Sequence, residues 1–377
     1  DPHLESASSS AGTMNQRTDR CLISVVVPCF NRLELLQVTA RTLLEQRETC
    51  CEFIFVDDNS DEDTWSFLQS LTTDVRVRLI RKAAGAARGC QASRNLGLDA
   101  AIGDYAMFLD SDDLLEPDCL SMRAQFAIQH PHADIVVANQ AILFEQQGSA
   151  AWVNQEDAET PALDRFLHLA APVDVPWVNA GCIIKTCRLR DVGVRWRSEY
   201  LWDDAMFHID CLLGGLTAAW MPRAPSPDSW YRLHGTNQFG HALHGPAGRQ
   251  NISEMMMFLA RRLSAIGQWT RSREICLFRA LFVRCILPDL ADHRVDSALR
   301  MLLQIERCGL FVRSPIGQVR FYCQLRRTLS LSPKLTFVLN RVFRQILKDC
   351  FEGLKPESYA RVPVDPSSVR ALLAAGH

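Results

Sequence analysis

Apolar residues along this chain arrive first in short runs and later in long helical periods, and the change between the two divides the sequence. Leu22-Ile23-Ser24-Val25-Val26-Val27, Phe53-Ile54-Phe55-Val56, Val75 to Ile80 and Tyr105 to Leu109 are runs of four to six residues, each closed by polar punctuation. Runs of that length, rich in β-branched and aromatic residues, predict strands buried in a parallel sheet. Between them the apolar residues return at helical spacing. Leu35, Leu36, Leu43 and Leu44 predict a helix to about Gln46 with Asn31 as its cap. A second helix is expected over 64–71, and a third, containing Arg94, Asn95 and Leu98, follows an Ala/Gly-rich loop over 83–89. Strand and helix alternate four times with short connections, which predicts an α/β, doubly wound, mostly parallel sheet flanked by helices.

Further on, Ile135-Val136-Val137-Ala138 reads as a strand and Trp177 to Ile184 as a loop entering another. Glu199 to Phe207 opens an apolar helix that runs through Leu213. After about Gly240 the periods lengthen, as in Met255 to Leu263, Ile275 to Ile286 and Leu299 to Ile305, so a helical C-terminal region is expected. The organisation predicted is an unstructured remnant over 1–20 with Met14 as the native start, a sheet domain over 21–240, a helical domain over 241–354 and a tail over 355–377.

The strand ends carry the chemistry. The run ending at Leu109 gives way to Asp110-Ser111-Asp112-Asp113, and the run ending at Val56 gives way to Asp57-Asp58-Asn59-Ser60. Ligands of open α/β sheets bind beyond the carboxyl ends of the strands, so Pro28-Cys29-Phe30-Asn31, Asp57-Asp58 and Asp110-Ser111-Asp112 are candidates for one nucleotide pocket. Asp110 and Asp112, one residue apart, can share a divalent cation that also holds a diphosphate. A solvated acidic turn is the ordinary explanation for one such motif. Two acid-rich strand ends in one sheet weaken that explanation. No GxGxxG follows the first strand and no GxxxxGK[ST] occurs anywhere, which argues against dinucleotide and P-loop sites.

Composition narrows the class without changing the picture. With 377 residues, 47% hydrophobic and 22% charged, the chain has the make-up of a globular protein. No apolar run reaches transmembrane length. The 14 cysteines include no CxxC pair, so reduced, packed thiols in a cytoplasmic protein are expected. His208 with Cys211, and His241 with His244, lack a second pair at zinc-site spacing. The net charge of −2 divides into about +10 over 251–377 and −12 over 1–250. Lys334 to Cys350 has apolar residues at helical spacing with Arg341, Arg344 and Lys348 among the rest. A helix packed on its own domain is the commoner outcome, and contact with the inner membrane face is the alternative. Nothing points to a nucleic-acid partner.

The order Ile23 to Asn31, Phe55-Val56-Asp57-Asp58-Asn59-Ser60, Ser93-Arg94-Asn95-Leu96-Gly97 and Phe108-Leu109-Asp110-Ser111-Asp112-Asp113 closely resembles the inverting family 2 glycosyltransferases of GT-A fold, over roughly residues 21–240. The resemblance implies transfer of one sugar from a nucleoside-diphosphate donor, most simply a UDP-sugar, to a saccharide or lipid-linked saccharide of a bacterial surface glycan. It places the general base on Asp204, with Asp203 as fallback. Phe30 would stack on the base, Asp58 would accept from the uracil imide, Asp57 would orient its turn, and Pro28, Asn31, Arg94 and Ser111 would line the donor. Mn²⁺ or Mg²⁺ would sit on Asp112 with Asp110 nearby. Tyr231-Arg232-Leu233-His234 resembles the segment that closes such sites, which brings His234 to the metal. Trp177, Asn179, Gly181 and Trp202 are acceptor candidates. Where relatives often carry Arg six residues after the base this chain has Asp210, which puts a salt bridge under that helix in doubt. QxxRW, the mark of processive synthases, is absent. The alternatives are a sugar nucleotidyltransferase, whose Gly-rich basic loop is missing after the first strand, and a non-catalytic binding module.

Overall fold

The computed structural model describes residues 21–48, 50–153, 161–167, 176–199, 201–235, 245–311, 316–317, 319–321, 323–324 and 363–364. The expectations for 1–20, Tyr200, His241 with His244, the basic helix over 334–350 and most of the tail lie outside these residues. In chain order the elements are β1 (Ile23–Cys29), α1 (Leu33–Leu44), β2 (Cys51–Asp57), α2 (Glu62–Leu71), β3 (Val77–Arg81), α3 (Cys90–Ala100), β4 (Tyr105–Phe108), β5 (Leu114–Leu115) and α4 (Cys119–Gln129). They continue with β6 (Ile135–Val137), β7 (Gln140–Phe144), β8 (Ser149–Trp152), α5 (Ala162–Leu167), β9 (Cys182–Lys185), α6 (Thr186–Val192), α7 (Asp203–Leu213), β10 (Ala218–Trp220) and β11 (Ser229–Leu233). Helices α8 (Pro246–Ala265), α9 (Arg271–Leu281), α10 (Leu287–Ala291) and α11 (Val295–Cys308) follow, and Pro363–Val364 forms β12.

The main sheet has seven strands in the order β10-β6-β9-β4-β1-β2-β3. All neighbours are parallel except β9, which runs antiparallel between β6 and β4. Every residue of β1 and β2 is buried, because alternate side chains point to opposite faces and both faces are covered. Val26, Ile54, Val56 and Phe108 join one apolar cluster, and Val25, Val27, Phe53, Phe55 and Met107 join the other. The second cluster is closed by Leu36, Leu43 and Leu68 of α1 and α2. The first runs without a break from the sheet through Phe207 of α7 into Met255, Leu277 and Leu302 of α8, α9 and α11. The helical region therefore shares a core with one face of the sheet.

A smaller five-stranded sheet has the order β12-β8-β7-β11-β5. Its edge strand β12 belongs to the tail, two residues of which pair with Ala150 and Ala151. Strand β3 begins at Val77 rather than Val75, which is 98% exposed. Helix α2 is capped by Asp61, whose side chain accepts from the Thr64 N–H at 2.9 Å. Among the described residues no helix is long and apolar enough to cross a membrane.

Candidate functional site

The carboxyl ends of β1, β2 and β4 lie side by side, so their loops meet at one edge. Asn31 does not cap α1. Its backbone is left-handed, its N–H donates to Ser60 Oγ at 2.9 Å and its Oδ1 accepts from the Asp61 N–H at 3.0 Å, which ties the first strand-end loop to the second. The competing loop geometry wins because a left-handed residue cannot present its side chain to the first turn in the extended manner a cap requires. Pro28 is buried inside β1 and paired with Val56. Asp57, fully buried, accepts from the Ser60 N–H at 3.1 Å and pairs with Arg81 at 3.3 Å. Asp58 takes the Gly89 N–H at 2.7 Å and the Lys82 ammonium at 2.7 Å. Phe30 projects from this floor with 47% of its surface exposed, and the Arg88 guanidinium lies 5.2 Å from its ring centroid.

Beyond β4, Ser111 is buried while Asp110 is about a third exposed. Arg94 is buried on α3 and forks between Asp110 at 2.5 Å and Asp203 at 2.9 Å, with its guanidinium 4.4 Å from the Trp196 ring centroid. Asn179 donates to the other oxygen of Asp110 at 3.4 Å. The next acid, Asp112, takes Arg32 at 2.9 Å and His234 at 3.1 Å on the same oxygen. Burial works against ionisation there, and the His234 hydrogen bond with the Arg32 charge overcomes it, holding Asp112 below the usual carboxylate range. Asp113 is fully buried behind it and accepts the Arg232 N–H at 3.0 Å. Burial first, then Asp112 and Asp110, push its carboxyl well up.

Helix α7 begins with the acid pair. Burial raises Asp203, partly offset by Arg94. Asp204 accepts its neighbouring Ala205 N–H at 2.7 Å and is pushed up to about 6, by burial first and then by the charge of Asp203. The helix is anchored at its far end by Asp210, 3% exposed, which pairs with Arg197 at 3.0 Å and with Arg262 of α8. The salt bridge doubted from the sequence is therefore present, with the acid on α7 and the bases outside it.

The acceptor candidates separate. Trp177 is 1% exposed, edge-on to Phe166, His208 and Trp220 at centroid distances of 4.6, 5.5 and 5.4 Å, so it is a core residue with no surface to offer a sugar. Gly181 is likewise enclosed, and a Cβ there would strike the Gln140 side chain. Asn179 reaches the site through Asp110. Trp202 sits half-buried just ahead of α7 with the Arg284 guanidinium 5.1 Å from its ring. His208 is buried among the same aromatics and driven down to about 3 by burial, so it is a neutral core histidine.

Arg32, Lys82, Arg88 and Trp196 touch the candidate residues and were not singled out from the sequence. Arg32 adjoins Asn31 and Lys82 follows the last residue of β3, so position at a strand end was the one available signal. A hard divalent cation suits the donor set of Asp112 and His234, with Asp110 alongside. Among the described residues no three acidic, histidine or cysteine side chains gather to hold a metal alone. Such a cation would therefore need oxygens from a bound diphosphate, as Mg²⁺ sites commonly do.

The family model described as "Glycosyl transferase family 2" matches residues 24–176. A Campylobacter jejuni protein named GalNAc(5)-diNAcBac-PP-undecaprenol beta-1,3-glucosyltransferase is 38% identical over 106 residues, 28% of this chain and 34% of that one. TuaG of Bacillus subtilis, named a putative teichuronic acid biosynthesis glycosyltransferase, is 32% identical over 109 residues, 29% of this chain and 42% of that one. The matches span 17–43% of the length of such relatives. In three dimensions the chain is similar to S. aureus TarS 1-349 crystallised with UDP-GlcNAc, with a TM-score of 0.56 at 16% identity, over 81% of this chain and 87% of that one. At that identity the likeness speaks for the fold. The ordered strand-end acids fall within the matched residues, so residues 24–176 carry a glycosyl transferase family 2 domain, and the chain shares the fold of these glycosyltransferase structures, the GT-A fold.

Proposed function

We propose that the chain transfers a single sugar from a nucleoside-diphosphate sugar, most simply a UDP-sugar, to an acceptor hydroxyl with inversion at the anomeric carbon. The observation that carries this reading is the Arg94 fork, which joins Asp110 at the donor end to the acid pair of α7. Inversion needs one displacement, and hence one base on the face opposite the leaving group. Asp204, with its carboxyl at about 6, is ionised near neutral pH yet basic enough to take the acceptor proton. Asp203, engaged by Arg94, would hold that turn against α3. Phe30 offers an exposed face to a nucleobase, and Asp58 an acceptor to an imide N–H. Asp112 and His234 would hold Mn²⁺ or Mg²⁺. A divalent cation bound there supplies Lewis-acid neutralisation of the leaving diphosphate.

Relatives named for undecaprenol-linked and teichuronic acid chemistry support an acceptor of the bacterial surface-glycan class, and the first of those names favours a lipid-linked one. The test is thermal unfolding of the protein with UDP, GDP and CMP, each with and without Mn²⁺. A ligand at a hundredfold excess over Kd stabilises by about 2.7 kcal/mol. A metal-dependent shift with UDP is expected, followed by loss of transfer but not of UDP binding in Asp204→Asn. Absence of any nucleotide shift would leave only the fold, and transfer at wild-type rate by Asp204→Asn would remove Asp204 from the role.

A further inference from the structure

Asn31 and Arg32 are consecutive left-handed residues, with φ of 53° and 61°. Non-glycine residues hold that conformation only where their surroundings fix it. Asn31 is fixed by its two bonds to the β2 loop. Arg32 occupies the cap position of α1 and makes no capping bond with its side chain. From this position its guanidinium reaches Asp112, on the oxygen that His234 also meets. The chain thus supplies its own cation to the carboxylate assigned above to the metal.

We propose that Arg32 is an exchanging counter-cation, neutralising Asp112 while the donor is absent and passing to the donor's diphosphate when a divalent cation takes Asp112. This rests on the reading of Asp112 given under the proposed function. A divalent cation and a guanidinium compete for one oxygen, so metal arriving alone must displace Arg32 and leave it uncompensated. Metal arriving with a nucleoside diphosphate brings phosphate oxygens, for which the planar guanidinium fork is well matched. Metal and diphosphate binding become coupled, and the coupling is reciprocal. The side chain is placed to make the exchange, being 37% exposed where that of Arg94 is 5% exposed and clamped by two acids.

The experiment is calorimetric titration of Mn²⁺ alone, UDP alone, UDP with Mn²⁺, and uridine, into the wild type, Arg32→Asn and Arg32→Lys. Asparagine tolerates the left-handed backbone, and unchanged melting of Arg32→Asn would show the fold intact. In the wild type UDP should tighten Mn²⁺ by about tenfold or more. Arg32→Asn should bind Mn²⁺ alone about fivefold more tightly, bind UDP with Mn²⁺ more weakly and lose most of the coupling, a change within the usual range of such effects. Uridine affinity should stay the same, and Arg32→Lys should recover part of the coupling. Wild-type Mn²⁺ affinity and coupling in Arg32→Asn would overturn the Arg32 role alone. A wild type that binds UDP without regard to Mn²⁺, or binds no nucleotide, would overturn the reading of Asp112 and the Arg32 role with it.

Discussion

Arg94 donates to Asp110 with one terminal nitrogen, at 2.5 Å, and with the other, at 2.9 Å, to Asp203, which lies 109 positions from it in sequence. One cation thereby sets the distance between the end of β4 and the first turn of α7. Removing one member of a buried ionic cluster leaves the remaining charges uncompensated, and typically costs about 3–5 kcal/mol.

Arg94→Met should accordingly lower stability by about 3 kcal/mol, at the low end because Asp110 is partly solvated. Adding Asp203→Asn should restore part of that loss, since it removes one stranded charge. Urea unfolding of the single and double variants checks both statements. An Arg94→Met protein as stable as the wild type would mean that the fork contributes nothing to the fold. Arg94→Lys should retain more stability than Arg94→Met but lose transfer, because an ammonium presents a point rather than a fork.

Asp204 links pH to both activity and stability, in opposite senses. Its carboxyl titrates at about 6 in the folded chain against 3.8 ordinarily. Between those values the folded protein keeps a proton that the unfolded chain has released. The stability this group contributes is therefore complete below about pH 3.8 and is lost as pH rises through about 6. Asp204→Asn should be more stable than the wild type at pH 7.5, by at most about 3 kcal/mol for a shift of this size. The advantage should shrink toward pH 4.5. Transfer runs the other way, with kcat/KM rising through an acid limb near pH 6 as the base ionises. Equal stability differences at the two pH values would contradict the link.

Phe30 stands 47% exposed at the end of β1, contributing little to the core. Phe30→Ala should change unfolding free energy by no more than about 0.5 kcal/mol. Stacking of a base on an aromatic ring is worth about 1–3 kcal/mol, so UDP affinity should fall by about one to two powers of ten. Calorimetry on the variant decides it. Undiminished UDP affinity would place the base elsewhere.

The sheet was legible because its signals are local: β-branched runs such as Val25 to Val27 and acids at strand ends need no knowledge of distant partners. Asn31 was misread for a related reason. Its residue type suits a cap, and only the tertiary bonds to Ser60 and Asp61 draw it into another role. Asp210 looked unpartnered in sequence because Arg262 lies 52 positions away on α8. Trp177 sat in a loop beside a plausible site residue, Asn179, and nothing in its neighbours revealed that Phe166, His208 and Trp220 would enclose it. Arg32 was passed over because its pairing with Asp112 crosses 80 positions. Residue type and spacing expose strand ends; which charges meet across the crevice depends on how helices seat.

That seating can be tested at Gly97. Helix α3 lies so close to β1 that a Cβ at Gly97 would overlap the Val26 side chain, a fully buried member of the core. Alanine gains about 1 kcal/mol over glycine in a helix interior. Overpacking a tight core costs about 1–3 kcal/mol, and here the obstacle is a β-branched side chain on a central strand with no room to turn. Gly97→Ala should therefore be destabilised on balance. Val26→Ala should relieve it, so the double variant should be more stable than the sum of the single losses predicts, as urea unfolding would measure. Arg94 stands three residues earlier on the same helix, so pushing α3 off the sheet should also draw its guanidinium from Asp110 and Asp203. On that account Gly97→Ala should lose transfer activity by more than its unfolded fraction explains, and Val26→Ala should recover part of it. A Gly97→Ala protein with wild-type stability and activity would show that α3 can shift without disturbing the fork.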